Sequence, residues 1–142
     1  MCGRYRLSRR KQLIAEYFQT ADEVDWEPRY NIAPSQPVGI IRQDPARPQR
    51  QFTLARWGLI PSWASDASIG FKTINARAET VASRPAFRDA VVSRRCLLPA
   101  DGFFEWVRHE VACVIVRRAP LDRTCHPIGS TLRGVAIRKR IV

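Results

Sequence analysis

The chain is short of several things, and each shortage excludes a class of protein. No apolar run is long enough to span a bilayer, which excludes a helical membrane protein. Met1-Cys2-Gly3-Arg4-Tyr5-Arg6 lacks the apolar stretch of a secretory signal. The expectation is a cytoplasmic protein with no membrane partner. None of the four cysteines, Cys2, Cys96, Cys113 and Cys125, stands in Cys-x-x-Cys spacing, so the usual zinc pattern is missing. Cys125 and His126 are adjacent donors in an unpatterned stretch, and neither a metal nor a cofactor is expected. Internal repeats are absent, which excludes a solenoid. Lysine is scarce: Lys11, Lys72 and Lys139 are the only ones among 24 basic residues. Aromatic residues are missing altogether from 107 to 142, which is unusual for a half-domain that builds a core.

What is present suits one globular unit. The chain has 142 residues, 45% of them hydrophobic and 26% charged, enough for a real core. The net charge of +11 favours polyanionic partners, because arginine contacts to phosphate release condensed counterions. A GC-rich coding sequence, which raises arginine over lysine, would give the same excess.

Ser8 can cap a helix to about Thr20, with Leu13, Ile14, Tyr17 and Phe18 on one face. Residues 28–37 hold three prolines and read as an ordered loop. Residues 38–42 and 52–57 read as strands joined by a polar turn. Residues 73–78 are expected to be extended. Ser83 caps a short helix carrying Phe87 and Val91. Residues 96–99 read as a buried strand, Ala100-Asp101-Gly102 as a turn, and Phe103-Phe104-Glu105-Trp106 as a further strand. Trp26, Trp57 and Trp106 are expected in the core. Residues 110–116 suit one more strand. Strands and helices without regular alternation indicate an α+β fold.

Five segments, in order, carry a family resemblance. They are Met1-Cys2-Gly3-Arg4-Tyr5, Pro28-Arg29-Tyr30-Asn31-Ile32-Ala33-Pro34 and Trp57-Gly58-Leu59-Ile60-Pro61-Ser62-Trp63. Then follow Ile74-Asn75-Ala76-Arg77-Ala78-Glu79-Thr80 and Pro99-Ala100-Asp101-Gly102-Phe103-Phe104-Glu105-Trp106. Together they resemble the SOS-response-associated peptidase (SRAP) family over residues 1–106. The resemblance implies a strand-rich α+β fold with a twisted, barrel-like sheet flanked by short helices. It also implies that residues 1–106 are the N-terminal part of such a domain. The family continues with a His-x-Arg-Met-Pro segment that supplies a catalytic histidine. Neither His109 nor His126 stands in that context. Residues 107–142 are therefore expected to be a divergent tail, off-frame or disordered, and the fold incomplete.

The chemistry at position 2 can be reasoned directly. With Met1 removed, Cys2 carries an α-amine of pKa near 8 and a thiol near 8.5, so both have nucleophilic fractions at neutral pH. A ring-opened abasic site is an aldehyde. The amine forms an imine with it, and the thiol closes a five-membered thiazolidine. Glu105, between aromatic neighbours, suits proton transfer during these steps. The resemblance implies that Cys2, Asn75 and Glu105 are catalytic. Arg4 and Arg77 suit phosphate contacts, and Trp63 suits base stacking. The expected partner is single-stranded DNA containing abasic sites, bound by a monomer associated with the nucleoid. The expected enzyme is an abasic-site crosslinking protein with a self-processing peptidase step that releases Met1. Two other readings stay open: a non-catalytic basic module for single-stranded nucleic acid, and an inactive fragment.

Overall fold

The computed structural model describes residues 3–21, 24–43, 46, 48–107 and 113–118. Its first strand, β1 (Arg4–Leu7), alternates exposed, buried, half-buried and buried residues, so one face is core and the other faces outward. The helix α1 (Lys11–Phe18) follows and buries Ile14. Its end is a left-handed Gln19 (φ 53°) whose N–H bonds back to the Ala15 and Glu16 carbonyls. Next come β2 (Thr20–Ala21), β3 (Arg29–Ile32), β4 (Pro37–Gln43) and β5 (Arg50–Arg56). A 3-10 turn over Ala67–Phe71 and the helix α2 (Arg88–Ser93) lead to β6 (Gly102–Val107) and β7 (Cys113–Arg118).

Among the described residues the strands form two sheets. One has the order β3-β1-β6-β7, antiparallel throughout. The other has the order β2-β5-β4, with β2 parallel to β5 and β4 antiparallel to it. The expected strand-rich α+β architecture with short helices is present. Tyr5, Leu7 and Phe103 of the first sheet share a core cluster with Val38, Ile41 and Phe52 of the second. Four consecutive residues of β4, 38–41, are buried, which is the burial of a strand covered on both faces. Trp26 and Trp57 are buried, as expected. A smaller cluster of Leu59, Phe87 and Ala90 lies under α2.

Several local expectations need correction. Residues 28–37 are not loop throughout: β3 occupies Arg29–Ile32 and pairs with β1. Its flanking prolines, Pro28 and Pro34, lie outside the strand, and β3 is an edge, where proline neighbours are tolerated. Ser8 does not cap α1. The helix begins after Arg10, with no side-chain cap. The Ser8 N–H and hydroxyl instead donate to Asp101, the hydroxyl at 2.6 Å. Residues 73–78 form no strand. Residues 96–99 contribute a single bridge, Ile41 to Leu97, closed by two backbone bonds of 2.8 Å. Ser83 does not start α2. Its hydroxyl donates to the Thr80 carbonyl in a turn that precedes the helix. The strand expected over 110–116 appears as β7, paired with β6 from Val107↔Cys113 to Gly102↔Arg118. His109, His126 and residues 119–142 lie outside the described residues.

Candidate active site

The three segments that carry Cys2, Glu105 and Asn75 meet around one buried pair of rings. Cys2 itself lies outside the described residues, and Gly3 is the first one described. From there β1 enters the centre of its sheet, between β3 and β6. Its register with β6 pairs Arg4 with Phe104, Tyr5 with Phe103 and Arg6 with Gly102. Continued by one step, that ladder sets the backbone of Glu105 across from Gly3, the neighbour of Cys2. On its other side Glu105 pairs with Ile115 of β7.

Tyr5 is 2% exposed and packs edge-to-face on Trp57, with ring centroids 5.5 Å apart. Burial holds the Tyr5 phenol well above its ordinary value of 10.0, and the Arg29 charge opposes this only in part. Its hydroxyl has no hydrogen-bond partner among the described residues.

Trp57 extends the link. Its indole N–H donates to the Ile74 carbonyl at 2.9 Å, fixing the backbone next to Asn75. Its main-chain N–H donates to the Gln36 carbonyl at 3.1 Å, and its carbonyl accepts from Ser35 at 2.9 Å. Gln36 is in turn held by Arg29, which also donates to the Pro37 carbonyl at 2.7 Å. One residue on, Gly58 adopts φ 131°, and a Cβ there would stand 2.4 Å from the Gly70 carbonyl oxygen. Only glycine permits this approach. Thr73 locks it by donating its hydroxyl to Leu59, with Ile69 and Gly70 carbonyls also in reach. Asn75 thus stands, half-buried, on a segment pinned from two directions.

The other site residues are more exposed. Arg4 donates from Nη1 to Asn31 Oδ1 of β3 at 3.1 Å. Trp63 is 59% exposed. Arg77 is exposed at the start of the 77–80 turn. Neither Trp63 nor Arg77 makes a side-chain hydrogen bond, ion pair or ring contact with the Arg4–Asn31 pair. Sequence reasoning missed Asn31, which sat in a quoted motif without a role, and Asp101, read only as a turn residue. It placed Trp57 in the core, but its part in joining β1 to the Asn75 segment rests on contacts between segments far apart in sequence. Among the described residues, no three His, Cys, Asp or Glu side chains cluster as metal ligands would. Likewise no helix there is long and apolar enough to cross a membrane.

Comparisons with known proteins fit this arrangement. The family model "SOS response associated peptidase (SRAP)" matches residues 1–120, running past Trp106 into β7. The chain is 44% identical over 124 residues to the abasic site processing protein YoqW of Bacillus subtilis, covering 85% of this chain and 54% of that protein. It is 35% identical over 91 residues to the abasic site processing protein HMCES of Gallus gallus, covering 57% of this chain and 27% of that protein. A crystal structure of a Bacteroides thetaiotaomicron protein superimposes with a TM-score of 0.65 at 27% identity, over 81% of this chain and 52% of that one. The chain therefore spans about half the length of YoqW. The motif order, the two-sheet fold and the family match agree, and the chain belongs to the SRAP family.

Proposed function

We propose that this chain processes abasic sites in single-stranded DNA by forming a covalent thiazolidine through Cys2. One observation supports the reading: β1 and β6 pair from Arg4↔Phe104 to Arg6↔Gly102, a register that one further step would extend to Gly3 and Glu105. A nucleophile at position 2 and a proton carrier on the neighbouring strand are what imine formation and ring closure require. The amine of Cys2 adds to the aldehyde carbon of the ring-opened sugar, and water leaves as the imine forms. The thiol then adds to the imine carbon, and its proton passes to nitrogen. No redox partner is needed. Glu105 serves as the acid for water's departure and as the base for the thiol. Asn75 orients the amine or the opened sugar hydroxyl through a neutral donor and acceptor. Release of Met1, the peptidase step, precedes the reaction because the imine needs a free α-amine. Arg4, Arg77 and Trp63 hold the strand around the lesion.

The test is incubation of the full chain with an abasic single-stranded oligonucleotide, followed by denaturing electrophoresis. The expected result is a denaturant-resistant adduct that disappears in Cys2→Ala. An adduct that survives Cys2→Ala would overturn the mechanism. Reversible binding with no adduct would instead favour a basic single-stranded nucleic-acid module, a reading supported by the charge of +11 and the exposed Trp63.

A further inference from the structure

β1 carries a second arginine with no role in the reaction just proposed. Arg4 and Arg6 are two residues apart on one strand, so both belong to the face of the sheet opposite Tyr5 and Leu7. Their Cα atoms are about 6.7 Å apart at strand rise, the length scale of successive phosphates in an extended single strand. The two arginines differ in their surroundings. Arg4 is already held by Asn31. Arg6 is half-buried, and its Nε–H is shielded from water with no acceptor among the described residues. A shielded donor without an acceptor is costly to a fold, and a phosphate oxygen is the strongest acceptor that could satisfy it.

The backbone around Arg6 is firm, and one flank is uncrowded. Gly102, its partner on β6, has no side chain to crowd it. The Arg6 carbonyl accepts from the Asp101 N–H at 3.0 Å. On the other flank the β1–β3 register slips between Tyr5 and Leu7, leaving Tyr30 and Asn31 together opposite Arg6. Tyr30, beside it, is 64% exposed.

We infer that Arg6 is a phosphate-binding residue that extends the DNA track one phosphate beyond Arg4, along the outer face of β1. The inference rests on the proposed binding of single-stranded DNA.

The test measures binding of an abasic-site single strand to the full chain as a function of salt, for wild type, Arg6→Met, Arg6→Lys and Arg4→Met. Each phosphate contact to a single strand contributes about 0.7 to the slope of log affinity against log salt. Arg6→Met, which keeps the apolar stem, is expected to lower the slope by about 0.7 and to weaken binding about tenfold at low salt. Arg6→Lys is expected to recover the slope. Arg4→Met and Arg6→Met together should lower it by about 1.4. An Arg6→Met protein with the wild-type slope, or a lysine that fails to restore it, would overturn the inference. A wild-type chain that does not bind the strand would instead overturn the functional reading beneath it.

Discussion

The two ends of β1 are built differently. At its C-terminal end Leu7 is buried, and the next residue, Ser8, gives both its N–H and its hydroxyl to Asp101, which is 6% exposed. Arg9 adds an ion pair to the same carboxylate at 3.3 Å, and Asp101 returns its own N–H to Arg6. At the other end Gly3 is half-exposed, and a Cβ built there would meet nothing within 4 Å. One end is an anchor bonded to a residue 93 positions away; the other, at Gly3, has room for a side chain. Such a strand is clamped at its far end and clear at Gly3.

The sharpest way to break this contrast is Asp101→Ala. It strands the Ser8 N–H and hydroxyl and frees Arg9 at once. Each lost bond to a buried carboxylate costs about 1.5–3 kcal/mol, and the exposed Arg9 contributes least. A loss of about 3 kcal/mol in urea unfolding is expected, with m unchanged. A loss below about 1 kcal/mol would mean that the anchor does not hold β1.

The middle of the strand should respond to alkali. Burial raises the Tyr5 phenol, so the folded state keeps its proton above pH 10.0 while the unfolded chain loses it. This contribution is therefore complete below pH 10.0 and is lost as pH rises beyond it. Tyr5→Phe removes both the titration and a hydroxyl without a partner. The expected variant is as stable as wild type at pH 7 and loses less stability between pH 10 and 11. Equal alkaline losses in the two proteins would place the titrating group elsewhere.

The smallest effect belongs to the open end. Gly3→Ala should change stability by less than about 0.5 kcal/mol, the scale of a surface substitution. A loss of more than about 1 kcal/mol in the same urea titration would show that the near end is packed after all, and would remove the contrast with the Asp101 anchor.

The parts legible in the sequence were those whose cause is local. The β4–β5 pair followed from two apolar runs around a polar turn, and β6 from alternating residues after Gly102. The Asn75 and Glu105 segments were visible as motifs. Ser8 misled because serine before an apolar run has local partners available, the free N–H donors of a helix N-terminus, and nothing nearby reveals a carboxylate acceptor 93 residues on. The prolines of residues 28–37 misled for the opposite reason. They were read as breaking the whole segment, although a strand of four residues fits between them. The convergence of three segments on Tyr5 and Trp57 depends on side-chain packing across two sheets, which no window of sequence contains.

The sheet order β3-β1-β6-β7 has a consequence for the timing of folding. During synthesis β1 can pair with β3 once about thirty residues have emerged, yet its other neighbour starts at Gly102. At about 5–20 residues per second, roughly 4–14 seconds pass between those two events. For that interval β1 is an edge strand, and Ser8 has no carboxylate to clamp it. Completing this sheet requires a closure over some 95 residues, and pairings so distant in sequence form more slowly than local elements.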